Sequence, residues 1–363
     1  MNLAVTGSGV ICSVGRNSGD SCASIRAGIV RSQEIGYFDL LDPETQEPLP
    51  LVGHPVRGVT EGFSDVGRWM RLAERCLIEL LAGAGFARDS RSELWEATGL
   101  VAVTPHIDDA RFYGDGNEGA ALLLPAYVAP LIRRLRLPIS ESRVAIVTAG
   151  HTGVITAMLR ASELVGRSVD RVIVVAVDSY LDVLTLEWLA QQSRLKSPDS
   201  PLGLMPGEAG VALLVEDPVA CKRRGGTAQA FVSGAAVTEE PSKVARVELN
   251  QGIGLSGVID KVLSASSVAT PFGGDIFSDL NGEEWRSREL AGAFQRLNGR
   301  LSDRVRFVLP AASTGDVGAA SAGISICAAV RSQERGYSAE PHSLVLGSSD
   351  RGDVGAALIS ASS

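Results

Sequence analysis

Cysteine is scarce: Cys12, Cys22, Cys76, Cys221 and Cys327 are scattered over 363 residues. They are odd in number, and the chain has no CxxC pair and no Cys/His cluster. That argues against a disulfide framework and a zinc site. No apolar run reaches the roughly 18 residues a membrane span needs. The opening MNLAVTGSGVICSVG has no positive stretch ahead of its apolar part and does not read as a signal peptide. Runs of Lys or Arg are missing too, and the net charge is −8, so nucleic acid and anionic membrane surfaces are not expected partners. Glycine-rich turns such as Gly7-Ser8-Gly9 match neither GxGxxG nor GKS at a strand–helix junction, so no phosphate loop and no cofactor are expected. A cytoplasmic protein is the expectation these absences leave.

Apolar residues make up 45% of the chain, aromatics only 5%, and there are 40 glycines. This suits tight α/β packing with close backbone approaches. The length exceeds one typical domain, so two domains or a duplicated unit are expected.

The most informative stretch is VAIVTAGHTGVITAMLRASELVG, residues 144–166. Its first four residues are apolar and mostly β-branched, as in a buried strand. A glycine-flanked turn follows, then helical spacing through Val154, Ala157, Met158, Ala161 and Leu164. The turn therefore lies at a buried helix N-terminus, where free N–H groups favour negative charge. Such a turn suits a nucleophile, yet it carries Gly150 and His151.

Elsewhere the pattern predicts strands at 3–6, 100–103, 172–177, 207–214 and 229–237, and helices at 18–27, 68–81 and 183–196. Residues 39–65 read as a surface loop or cap. Residues 104–125 read as loop with one short helical piece. After about Ser242 the pattern begins again: helix 249–267, strand 275–280, helix 283–297, strand 306–309, helix 315–331, strands 344–346 and 354–359. Strand–TAGHTG–helix–VIVVAVDS in the first part echoes strand–STGDVG–helix–SLVLGSSD in the second. This aligns Gly150 with Gly315, His151 with Asp316 and Gly153 with Gly318. Two copies of one βα unit, residues 1–240 with cap insertions and 241–363, would bring both turns to a shared interior site.

Five segments carry a resemblance over nearly the whole chain: AVTGSGVICSVG, VTAGHTGVITAM, VAVDSYLDVLTL, GLMPGEAGVALLVE and STGDVGAASAG. In this order they resemble the β-ketoacyl synthase branch of the thiolase superfamily. The fourth carries Ala209 where that family has a glycine. The resemblance implies a five-layer αβαβα fold of two duplicated βαβαβαββ halves, usually a homodimer. It also implies a Cys thiolate at the first elbow and two histidines that stabilise the enolate and the thioester oxyanion. Those positions fall on Gly150, on Asn281 within DLNGEEW, and on Asp316. The family's Lys is replaced by Ala311, and its Gly-Phe-Gly-Gly loop by Ser349-Asp350-Arg351-Gly352.

Glycine cannot form an acyl-enzyme, and Asn and Asp remove the charge arrangement that decarboxylation needs. An active 3-oxoacyl-ACP synthase is therefore not expected. The helix N-terminus predicts a neutral His151, and Asp316 reads as a helix cap. Together they form a candidate altered site, a His–Asp dyad facing Asn281, with Ser313 and Thr314 nearby in sequence. Asn281-Gly282 is turn chemistry, and the helix after it reads either as a capped helix with Trp285 in the core or as a rim that recognises a partner or ligand. Glu208 reads as a buried carboxylate bonded to backbone N–H groups.

Two functions are open at this point. One is a non-condensing accessory, adaptor or ligand-binding protein, with an acyl carrier protein, an acyl thioester or a protein as partner. Synthase-like chains with DLNGE in place of the His-Gly motif resemble open reading frames near type VI secretion effector genes, and chain-length factors of polyketide synthases also lack the Cys. The other is an acyltransferase or hydrolase using His151 and Asp316 without a covalent intermediate.

Overall fold

The computed structural model describes residues 1–42, 44–86, 92–107, 109–112, 121–198, 200–241 and 250–362. Parts of the predicted 104–125 loop and the start of the predicted 249–267 helix lie outside these residues.

Ten strands form one hydrogen-bonded sheet. They are β1 (Leu3–Cys12), β4 (Thr98–Thr104), β5 (Val144–Thr148), β6 (Arg171–Ser179), β7 (Glu208–Glu216), β8 (Ala230–Glu239), β9 (Asp275–Phe277), β10 (Arg306–Val308), β11 (His342–Ser348) and β12 (Asp353–Ala361). A separate hairpin pairs β2 (Gln33–Leu41) with β3 (Pro48–Gly53). From the centre outward the sheet reads β1-β7-β6-β4-β5 on one side and β8-β12-β11-β9-β10 on the other. Each side runs antiparallel, antiparallel, parallel, parallel. The two sets meet only where Leu3–Val5 pairs with 230–232. The order and sense of the strands are thus duplicated. β8, which precedes residue 241, pairs within the second set.

Helices α1 (Ser18–Arg26), α2 (Asp65–Gly83), α3 (Ala129–Leu135), α4 (Gly153–Leu164), α5 (Val183–Gln191), α6 (Ile253–Ser264), α7 (Glu284–Arg296) and α8 (Ser321–Glu334) complete the layers. Side chains alternate along the strands. Leu100, Ala102, Ile173 and Val175 pack outward with Leu72, Leu77 and Leu131 of α2 and α3. Val101, Val103, Val172 and Val174 pack inward with Val154, Met158, Ile324 and Ala329 of α4 and α8. On the far side Leu344, Leu346 and Leu358 meet Val258, Ile259 and Ala293 of α6 and α7. The result is the five-layer αβαβα arrangement, with α4 and α8 as the middle layer. The buried cluster around the middle layer is built largely from Ala, Val and Ile, with Phe277 of β9 as its one aromatic among the described residues.

Several sequence expectations are corrected. Gly7-Ser8-Gly9 is not a turn but lies inside β1, where a Cβ on Gly9 would stand 2.0 Å from the Cys76 carbonyl oxygen of α2. Part of the 39–65 loop is strand, packed with α5 through Ile35, Leu51, Leu186 and Leu189. Among the described residues no helix is long and apolar enough to cross a membrane.

Candidate functional site

β5 ends at Thr148 and the chain turns through Gly150, whose φ is +51°, before α4 begins at Gly153. That backbone region suits glycine. The second half repeats the turn at Gly318, φ +48°, ahead of α8. Geometry thus pairs Gly150 with Gly318, three residues later than the sequence echo placed it. The two turns pack against each other. A Cβ on Gly318 would lie 2.0 Å from Asp178 Oδ2. That carboxylate is itself gripped by Arg111, at 2.6 and 3.4 Å, and by the Ala319 N–H at 2.9 Å.

The three predicted polar residues do come together. His151 Nε2 lies 2.8 Å from Asp316 Oδ1, and Asn281 Nδ2 donates to Asp316 Oδ2 at 2.6 Å. The Gly318 N–H also donates to Asp316 Oδ1, at 2.8 Å, so Asp316 caps the turn and pairs with His151 at once. His151 and Asp316 are both 2% exposed. Burial works against a charged Asp316, but His151, Arg286 and Asn281 outweigh it and hold its carboxyl well below the usual carboxylate range. Burial and Arg286 also oppose an imidazolium at His151, yet Asp316 and Asp350 prevail and raise its pKa. The helix N-terminus alone favours a neutral imidazole; with Asp316 and Asp350 beside it the shift runs upward instead.

The sequence reading missed what surrounds this trio. Arg286 is buried in α7, with Glu289 and Ala293, while Trp285 is only half-buried. Its guanidinium donates to Asp279 Oδ2 at 2.7 Å and lies 3.3 Å from both His151 ring nitrogens. Arg194 grips Glu283 at 2.6 and 2.8 Å and Asp350 at 2.9 and 3.1 Å. Glu283 receives Asn281 Nδ2 at 2.9 Å, while its N–H donates to Asn281 Oδ1 at 3.0 Å. The 349–352 loop is thereby tied to DLNGEEW through two buried arginines. Glu208 binds the Val56 N–H, Thr60, Arg68 and Ser179, so one backbone N–H and three side chains satisfy it.

A third missed residue is His106. A Cβ built on Gly150 would meet its ring at 3.1 Å and Ser349 Oγ at 3.6 Å. His106 Nε2 and Ser349 Oγ share a 2.6 Å hydrogen bond, and Asp353 Oδ2 lies 3.9 Å from the same nitrogen. A signal for this contact did exist. β4 and β5 are parallel, with Thr104 opposite Thr148, so the residues two beyond each strand end, His106 and Gly150, are brought side by side.

Among the described residues no group of three or more His, Cys, Asp or Glu side chains is arranged to hold a metal. Ser313 and Thr314 are buried, and Thr314 Oγ1 donates to the Pro310 and Gly315 carbonyls rather than toward His151. The cavities described are lined by none of Gly150, His151, Asn281 or Asp316.

The whole chain is similar to solved ketosynthases. A structure of a type II polyketide synthase acyl-carrier protein in complex with its ketosynthase, bound to the hexaketide, has a TM-score of 0.79 at 14% identity; 99% of each chain is covered. The ishigamide ketosynthase/chain length factor gives 0.72 at 17% identity, covering 100% of this chain and 99% of that one. The oxazolomycin ketosynthase domain of Streptomyces albus JA3453 gives 0.74 at 15%, covering 100% and 75%. The chain has the ketosynthase fold. By sequence, no family model and no curated protein matches it. In this ketosynthase fold the turn after β5 holds a glycine and an imidazole from β4's loop, and the turn before α8 holds a carboxylate.

Proposed function

We propose that this ketosynthase-fold chain is non-condensing, and serves as a cytoplasmic accessory, adaptor or ligand-binding protein. The observation that carries the reading is the closure at Gly150. The position has no side chain, and the direction a side chain would take is filled by the His106 ring, bonded to Ser349. Without a thiol no acyl-enzyme forms there. Asp316 adds a buried negative charge where the resembled chemistry develops another.

The alternative, acyltransferase or hydrolase chemistry on His151 and Asp316, gains no support. The His151 Nε2 is engaged by Asp316 with Arg286 alongside.

For partners we propose a homodimer through β5. It is the last strand of its side, pairs only with β4, and is half-buried along its whole length; an apolar open edge of this kind calls for a mate. An acyl carrier protein, an acyl thioester or a protein encoded near type VI secretion effectors are the further partners the resemblance suggests.

The test is malonyl-thioester decarboxylation and condensation by the wild type and by the triple variant Gly150→Cys, Asn281→His, Asp316→His. No turnover by the wild type is expected, and clear turnover by it would overturn the reading.

A further inference from the structure

Two adjoining cavities lie between α1, the C-terminal end of α8 and the outer edge of the second set of strands. One, about 400 Å³, has an apolar floor of Ile25, Phe277, Val308 and Ala328, with Phe307 and Leu309 at its lip. The lip residues are 44% and 37% exposed. The other, about 570 Å³, is lined by Arg26, Arg331 and Arg335. Both share Arg26 and Tyr337, whose side chains stack with the guanidinium carbon 3.9 Å from the ring centroid. The groove borders Asp275 and Arg306, at the starts of β9 and β10. Those strands run parallel to β11, so this is the opposite end of the strands from Ser349.

The charge here runs against that of the chain. Arg306 neutralises Asp275 through bonds of 2.7 and 2.9 Å, and Arg331 pairs with Glu334 at 2.6 Å. Among the described residues Arg26 and Arg335 carry no carboxylate partner. Four arginines facing two carboxylates leave an excess of two positive charges, on a chain whose net charge is −8. Burial pushes the Cys22 thiol up to about 12, so the floor adds no thiolate to oppose an anion. Arginine guanidinium groups are strong binders of oxyanions, and an apolar pocket beside a few convergent polar groups is the common form of a small-molecule site.

We infer that this groove binds a small anionic amphiphile, with a phosphate, sulfonate or carboxylate head on Arg26 and Arg335 and an apolar body over Phe307, Leu309 and Ile25. The apolar and the arginine-lined cavities share Arg26 and Tyr337 as walls, so a ligand lying across that stack would engage both. The site shares no residue with the turn at Gly150 and stands whether or not the chain condenses.

The probe is 1-anilinonaphthalene-8-sulfonate, an aromatic sulfonate, titrated by fluorescence into the intact protein, with decyl phosphate as competitor. Saturable one-to-one binding is expected, displaced by decyl phosphate. It should be weakened at least tenfold by Arg26→Glu with Arg335→Glu, and again by Leu309→Glu. All three side chains are exposed, so the variants fold; circular dichroism confirms this. Arg160→Glu, an exposed charge change on α4, should bind as the wild type does. No saturable site in the wild type, unchanged binding in both groove variants, or equal loss in Arg160→Glu would each overturn the inference.

Discussion

Replacing Asp316 by Asn tests whether the buried polar trio holds the fold together. The shapes match, but the hydrogen bonding does not. One Asp316 oxygen receives His151 and the Gly318 N–H, and the other receives Asn281 Nδ2 at 2.6 Å. An Asn there can keep its oxygen toward the first pair only by setting its own NH₂ against that of Asn281. Asn281 cannot turn to relieve this, because its oxygen already accepts the Glu283 N–H. Removing one partner of a buried charge pair costs about 3–5 kcal/mol, and this range is the expected loss at pH 6.

The loss must also depend on pH in a defined way. Asp316 is depressed from 3.8, so its contribution is present above about pH 4 and is lost as pH falls through its lower folded value. His151 is raised from 6.5, so the pair's contribution is full below about 6.5 and is lost as pH rises through the raised value. The difference between wild type and Asp316→Asn, measured by urea denaturation from pH 3 to 9, should therefore peak between about pH 4 and 6.5 and shrink on both sides. A loss under about 1 kcal/mol at pH 6, or a difference that stays flat over the range, would refute the reasoning.

Gly150→Cys should destabilise by roughly 1–2 kcal/mol, because φ at this position is left-handed. Its thiol should react slowly with iodoacetamide until His106→Ala is added, which should speed labelling at least tenfold as read by mass spectrometry. Equal rates with and without His106 would show that the ring does not shield the position. His54 is buried and its pKa is lowered to about 4 by desolvation, so the unfolded chain binds the extra proton. Stability should fall by roughly 3 kcal/mol as pH drops from 6.5 to 4, and His54→Leu should flatten that part of the profile. Ile146→Asp in β5 should convert a dimer to monomer in sedimentation at micromolar concentration; a wild type that sediments only as monomer would remove the dimer reading.

The layers were legible because the central strands are buried on both faces. Val172 to Val177 alternates between the middle and outer layers, yet every residue is apolar, so the run stands out without any alternation of polarity. The duplication was legible in the two glycine turns, but its register was not. Gly315 and Gly318 both have positive φ, and only the start of α8 at Ser321 shows which one matches Gly150. In the site, His151 and Asp316 followed from the turns, and Asn281 from the resemblance. Arg286, Arg194 and His106 did not, since each reaches the site from an element whose position depends on tertiary packing. Arg286 in particular sits one residue after a tryptophan, and a tryptophan is the more ordinary candidate for a core position.

The glycines at these turns let other side chains in. Without a Cβ at Gly150, the His106 ring approaches to bond Ser349. Without one at Gly318, Asp178 reaches the N–H of Ala319, and at Gly315 a Cβ would stand 2.7 Å from the His54 ring. A substitution at Gly318 or Gly315 would have to displace a buried polar side chain that is already placed, and one at Gly150 would press on the half-buried His106 ring. Buried arginines then neutralise the carboxylates that the turns collect, Arg286 on Asp279 and Arg194 on Glu283 and Asp350. Such a network is costly to break and gives no more stability than an apolar filling of the same volume would. Its physical effect is to fix DLNGEEW, the 349–352 loop and both turns relative to one another. The open features lie elsewhere, at the half-buried edge β5 and in the arginine groove beside α1, and recognition by this chain is to be sought there.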